Sequence, residues 1–454
     1  MQAITDAIFP IPAQTFVGII TVLVMIHAIL LTIPILIYFE RKISAYIQDR
    51  IGPNRVGFDF GLPALQKLFS FGGKRPFGFW GLGQSAADGL KFLLKEDVTP
   101  RGADRWLFSI APMAAVVPAF IGWAVIPWGG TLTLANPINL FGLDLVAAGT
   151  ATVAVADINI GFIYLIAIAS LGIYGVTLGG WSSNSKFSFL GGMRASAGMI
   201  SYEIPLGLSL LATLLLVGSF RASDIIAMQA AHGWFVLAQP LACIIFFVCV
   251  LAECNRAPFD NAEAEQELVG GFHTEYSAMR FALFFLAEYA HMITASAFLI
   301  LVFFGGYHLP FVPITSPEAT GLLAALAKTF VFFNKVMLVV VFMMVIRWTI
   351  PRIRYDQVLR LCWQALIPIT ISLVVLTAIW MKLGWTAWPQ TLAMNILALI
   401  VITAIAPLLF NSTANNRKIP LAGSRFSPLK GYEGATTPTD PIHLDDDNPQ
   451  AARA

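Results

Sequence analysis

The sequence is short of charge. Of its 454 residues only 12% are Asp, Glu, Lys or Arg, about half the ~25% of ordinary soluble domains. Cysteine is scarce as well. The four present (Cys243, Cys249, Cys254 and Cys362) form no CxxC pair, which excludes the usual metal and iron–sulfur spacings; thiols in apolar runs commonly serve as small apolar residues. No GxGxxG or P-loop nucleotide motif occurs. The leading stretch MQAITDAIFPIPAQ has no basic segment, so no cleavable signal peptide is expected. Neither a repeat of 20–50 residues nor inverted halves of the transporter kind can be found.

Apolar residues fill the space that charge leaves. They make up 57% of the chain, in runs long enough to cross a ~30 Å hydrocarbon core at 1.5 Å per residue. Spans are expected near 15–38, 107–127, 158–180, 201–220, 236–252, 281–304, 329–349, 361–380 and 393–410. The connections on alternate sides hold 23 Lys and Arg against three, a split that follows the positive-inside rule. It puts the N-terminus outside and the tail inside. The fold class is an all-α polytopic membrane protein. Residues 1–410 form the transmembrane helical domain. Residues 39–106 are a long cytoplasmic loop, in which QSAADGLKFLLKE has the spacing of an interfacial amphipathic helix. Residues 253–280 are an acidic cytoplasmic loop, and 411–454 a cytoplasmic tail of mostly irregular structure. The segment between the second and third spans, broken by Gly, Pro and Asn, suggests short re-entrant or surface pieces.

The acidic loop is the anomaly. Within residues 252–276 six carboxylates (Glu253, Asp260, Glu263, Glu265, Glu267 and Glu275) face one arginine, Arg256. Such a run is commonly a solvated interface. Two further acids weigh against that here: Glu288 lies inside the sixth span, with His291 three residues on, and Glu203 stands at the mouth of the fourth. A charged group in a span is costly and normally faces a bundle interior or a water path. DNAEAEQELVGG reads as a short helix that puts Glu263 and Glu267 on one face; like charges there in a low dielectric force one to keep its proton. Arg256 could hold Asp260 ionised. Arg50 and Arg55 bracket the turn IGPN, which would fix them for pairing or for gripping an acidic partner. Arg280 is another inner basic residue. His27 reads as structural, and His273, beside Glu275, permits acid–base work.

Four segments at 40–57 (ERKISAYIQDRIGPNRVG), 87–96 (ADGLKFLLKE), 180–203 (GWSSNSKFSFLGGMRASAGMISYE) and 252–276, followed by PRIRYDQ at 351–357, resemble the signature segments of the H-subunit family of NADH–quinone oxidoreductase, which includes mitochondrial NADH dehydrogenase subunit 1. The resemblance implies eight transmembrane helices, to which this chain adds a ninth. It implies a membrane-arm component of a proton-translocating NADH:quinone oxidoreductase, respiratory complex I, that helps form the quinone access tunnel and couples quinone reduction to proton pumping through buried carboxylates. By motif position Glu203, Glu253, Asp260, Glu263, Glu265 and Glu267 correspond to the family's acidic path. Glu40 and Arg41 correspond to the tunnel and its mouth, while Lys186 and Arg194 lie in the third-loop motif.

The same resemblance implies that this chain binds no cofactor or metal. Quinone is the substrate, and FMN and iron–sulfur clusters sit on partner subunits. Partners are the peripheral-arm subunits carrying the terminal iron–sulfur cluster and the quinone headgroup site, neighbouring small membrane-arm subunits, and lipid; nucleic acid is not expected. No catalysis is expected from the isolated chain, and a bacterial inner membrane is the expected location. An equivalent component of a related hydrogenase or formate-linked complex, or an independent ion transporter, stays open at this point. Three departures from the pattern stand out: about 20 extra residues around LFSFGGKRPFGFWG, Gly198 where the family has Gln, and the ninth span with its tail.

Overall fold

A computed structural model describes residues 11–54, 56–57, 79–140, 143–385 and 387–409. Arg55, the extra segment of the first long loop and the tail beyond 409 lie outside the described residues. The first helix, α1 (Ala13–Ile47), carries a stripe of buried residues at Val17, Thr21, Met25, Ile29, Leu36 and Glu40. That spacing keeps one face on the bundle. Its other faces expose Ile20, Leu23, Leu31 and Ile35, as suits a helix whose solvent is hydrocarbon. After α1 come α2 (Gln84–Leu94), α3 (Arg105–Val125) and α4 (Gly161–Ser182). Next are α5 (Lys186–Val217), α6 (Ala222–His232), α7 (Pro240–Glu253) and α8 (Ala278–Phe303). The series ends with α9 (Leu322–Thr349), α10 (Tyr355–Lys382) and α11 (Trp388–Leu409). Among the described residues seven of these, α1, α3, α4, α5, α8, α9 and α10, are long and apolar enough to cross a membrane.

Two expectations change. The fourth span does not begin near 201, because α5 runs unbroken from Lys186, and the polar segment before it is helical. Its hydroxyls are absorbed locally: Ser196 donates to the Gly192 carbonyl at 2.7 Å and lies 2.5 Å from Thr177 of α4. The fifth span is only 14 residues long, about 21 Å by helix rise. Pro240 cannot donate to the preceding turn, and the backbone breaks at Gln239. Asn395 of α11 covers that break, donating to Ala238 O at 3.1 Å and Gln239 Oε1 at 3.3 Å. The segment between α3 and α4, expected as short re-entrant or surface pieces, folds as two short antiparallel ladders, β1 (Thr131–Leu134) with β4 (Gly149–Thr152) and β2 (Ile138–Leu140) with β3 (Leu143–Val146). The alternation in TLTL fits one half-buried face.

Between α7 and α8 the acidic loop is not the helix that its sequence suggests. Helix is confined to two single turns, Glu265–Leu268 and the 3-10 turn Gly271–His273, and residues before them are irregular. Glu263 and Glu267 therefore do not share a helix face. What seats the loop is backbone contact: Gly271, at φ +65°, lies so close to Gly191 of α5 that a Cβ on Gly191 would stand 2.6 Å from the Gly271 Cα. Behind it Gly180 of α4 packs against Gly192, where an added Cβ would stand 3.1 Å from the Gly192 Cα. Gly198, on the same helix, faces open space.

These contacts predict opposite outcomes for one chemical change. Gly191→Ala overpacks the seat and destabilises by roughly 1–3 kcal/mol. Gly198→Ala is neutral or stabilising by up to ~1 kcal/mol. Thermal unfolding of the two purified variants in detergent distinguishes them.

Candidate functional site

At the acidic-loop end of the bundle, α1, α2, α8 and α9 enclose a cavity of about 470 Å³. Ile33, Ile37, Phe92, Phe281 and Phe285 make its walls apolar, while Glu40, Asp88, Tyr289 and Arg347 bring polar groups to it. Arg41 pairs with Asp88 at 2.6 Å, and with Ser44 it also lines a second, outward space of about 570 Å³ bounded by Arg50 and Pro53. The size of the apolar cavity and its few convergent polar groups suit a small-molecule site.

Behind its wall sits a buried charge cluster. Glu40 lies at the end of the inward stripe of α1, so the helix that builds the cavity also carries its carboxylate inward. It accepts from Arg256 at 3.0 Å and from Arg347 at 2.5 Å, and from the Tyr289 hydroxyl. The other side of Arg256 meets Glu288, Nε to Oε1 2.8 Å, and its guanidinium lies 4.6 Å from the Tyr289 ring centre. Arg256 is 3% exposed. Burial opposes its charge, but Glu288, and after it Glu40, more than offset that and keep it firmly protonated. Removing one partner would strand a buried charge, typically a loss of ~3–5 kcal/mol. Arg256 thus belongs to Glu40 and Glu288, not to Asp260. Asp260 takes Arg352 instead, at 2.8 Å.

Beyond Glu288 the carboxylates continue along two small cavities. The first, of about 60 Å³, is bordered by Glu288, Glu263, His273, Glu253 and His291. The second, about 20 Å³, shares Glu253 and His291 and adds Glu203, whose carboxylate accepts from Ser170 of α4. At ~10–15 Å³ per water, they have room for a few molecules. Glu253 and His291 are 3.5 Å apart, and Glu263 and His273 3.7 Å. Burial, with the Asp260 charge added, pushes the Glu263 carboxyl up to about 7. Burial also raises Asp260, although Arg352 opposes it, and lowers His273. At neutral pH His273 is therefore neutral and Glu263 is poised between its two states.

Several residues singled out by sequence lie elsewhere. Glu265 and Glu267 are exposed; Glu267 pairs with Arg194, which stacks over Tyr355 at 5.5 Å. Lys186 is exposed at the start of α5. Arg280 contacts Thr99 at 2.7 Å and Asp97 at 3.2 Å, tying α8 to the first loop. Arg50 is exposed and donates to Gln48 at 2.9 Å. His27 bonds within its own helix, Nδ1 to Leu23 O at 2.7 Å.

A profile of the NADH dehydrogenase family matches residues 20–378. The chain is 42% identical to NADH-quinone oxidoreductase H-subunit 1 of Geobacter sulfurreducens over 82% of its own length and 97% of that protein. It is 43% identical to H-subunit 1 of Cytophaga hutchinsonii over 75% and 89%. Against the H-subunit of Flavobacterium psychrophilum it is 38% identical over 82% and 98%. The chain belongs to the H-subunit family of NADH-quinone oxidoreductase. The family match stops inside α10, so α11 is additional to it. Three residues of the cluster, Arg347, Tyr289 and Ser170, were not singled out by sequence. A polar group inside a long apolar run was the available signal for each.

Glu263 generates a pH prediction. Its acid form is fully present well below pH 7 and is lost as pH rises through about 7; the stabilisation from keeping that proton is full below the ordinary carboxyl value of 4.5 and falls progressively until pH reaches about 7. An infrared carboxyl band should titrate there in the wild type and disappear in Glu263→Gln.

Proposed function

We propose that this chain is a membrane component of a proton-translocating NADH:quinone oxidoreductase, that its 470 Å³ cavity admits the quinone, and that its carboxylates couple quinone reduction to proton movement. In this reading quinone leaves the lipid between α1, α2 and α8, and the polar space at Arg41 and Arg50 opens toward the partner subunits. Electrons come from partner subunits that carry the flavin and iron–sulfur clusters. The inner loops form the docking surface for those partners. The excess of Lys and Arg on the acidic-loop side supports a cytoplasmic placement of that side, in a bacterial inner membrane.

One observation carries the proposal. Direct contacts lead from the cavity wall (Tyr289, Glu40) through Arg256 to Glu288, and Glu288, Glu253 and Glu203 then border two small cavities that share Glu253 and His291. Reduction of a quinone by two electrons takes up two protons and transiently places negative charge at the headgroup site of the partner subunit, toward which the cavity opens. At an effective dielectric of ~20 a unit charge ~10 Å away is still worth about 1.7 kcal/mol, enough to change how Arg256 divides itself between Glu40 and Glu288. Glu288, held less tightly, then takes a proton from the Glu263 carboxyl through water in the adjoining cavity, where Glu253 and His291 also reach, and Glu263 is reprotonated from the inner side. Glu203 ends the described path inside the bundle. A purely structural anchor would have no use for this many carboxylates within and beside spans.

Glu203→Gln in the assembled complex tests the reading. Assembly and flavin-site NADH oxidation should be retained, while quinone-linked proton translocation falls at least ~10-fold, as expected when a positioned proton-transfer group is lost. Wild-type translocation in proteoliposomes would remove Glu203 from the path.

A further inference from the structure

Two membrane helices are irregular at one level, and side chains of each bond to the backbone of the other there. In α5, Pro205 has no N–H, so the carbonyl of Ser201, four residues earlier, loses its helical donor. In α10, Leu361–Leu366 form a π-helical turn, which disturbs the hydrogen-bond ladder at its entry. The Cys362 thiol donates to Ser201 O at 3.0 Å, and the Trp363 indole donates to Ser201 Oγ at 3.3 Å. In the other direction the Tyr202 hydroxyl donates to Val358 O at 2.9 Å. Cys362 and Tyr202 are both 0% exposed, and no water is at hand inside a bilayer to replace either donor. The next residue of α5 is Glu203.

We propose that this reciprocal lock aims Glu203. Cys362 and Tyr202 are positioning residues: they fix the rotation of α5 at its proline and so hold the Glu203 carboxylate on Ser170, at the cavity it shares with Glu253 and His291. Neither lines the large apolar cavity or the small cavities, so they act only through α5. The inference rests on the carboxylate-path reading and extends it to groups outside the path. It also gives Cys362 a task other than filling apolar space.

The test uses the assembled complex in proteoliposomes, with protons translocated per NADH oxidised as the readout and complex abundance as the control. A thiol that merely packs would tolerate Cys362→Ala better than Cys362→Ser, which adds a stronger polar group. The lock predicts the reverse order. Cys362→Ala lowers the proton ratio roughly twofold or more, on the scale of one lost hydrogen bond, and Cys362→Ser, whose hydroxyl serves the same carbonyl, retains it. Tyr202→Phe, which removes only the hydroxyl on Val358 O, carries the same expectation as the alanine variant and replaces it if that variant does not assemble. With Glu203→Gln impaired, full coupling in the alanine and phenylalanine variants, or equal loss in Ala and Ser, overturns the lock alone. Full coupling in Glu203→Gln overturns the carboxylate path and the lock with it.

Discussion

Arg256 is the constraint on which the site depends. A guanidinium cannot shed its proton in a protein, so once buried it must be met by carboxylates. Glu40 and Glu288 meet it from two different helices. Satisfying that one charge fixes the loop after α7 against α1 and α8, and it explains why acids gather where hydrocarbon begins. Arg347 adds a second cation on Glu40. The cluster is therefore close to neutral as a whole while each member is strongly held, a state in which a small added charge redistributes protons without unfolding anything.

Lipid decides the rest. With large apolar residues turned outward on α1 and its neighbours, the bundle interior is the favourable place for polar side chains, and they line up there by default. Small residues let helices approach, as Gly180, Gly191 and Gly192 do; such contacts, not large apolar interlocking, drive packing in membranes. The result is a sequence of cavities with shared walls, apolar at the large end and carboxylate-lined beyond it.

The spans were legible because runs of ~20 apolar residues have few alternatives, and Glu203 and Glu288 because a carboxylate in such a run is an anomaly. Partnerships were not legible. Arg256 pairs with Glu40 across 216 residues, whereas reasoning from local spacing offered Asp260. The supposed helix face of Glu263 and Glu267 failed because the loop's conformation is set by its seat at Gly191 and by Arg352 on Asp260, neither of which is local. Polar residues before Tyr202 were read as loop, yet Ser196 and Thr177 satisfy each other between helices. The 14-residue α7 was overestimated because hydropathy does not register the break that Pro240 makes.

If the quinone cavity and the membrane carboxylates communicate through Arg256, carboxyl protonation must follow the redox state of bound quinone. Light- or mixing-triggered infrared difference spectroscopy on the assembled complex measures this most directly. Communication through Arg256 predicts carboxyl bands assignable by substitution to Glu288 and Glu203 in the wild type, and their disappearance in Arg256→Met while quinone still binds. Bands that persist unchanged in Arg256→Met, or a wild type whose carboxyls do not respond to quinol formation, would contradict it.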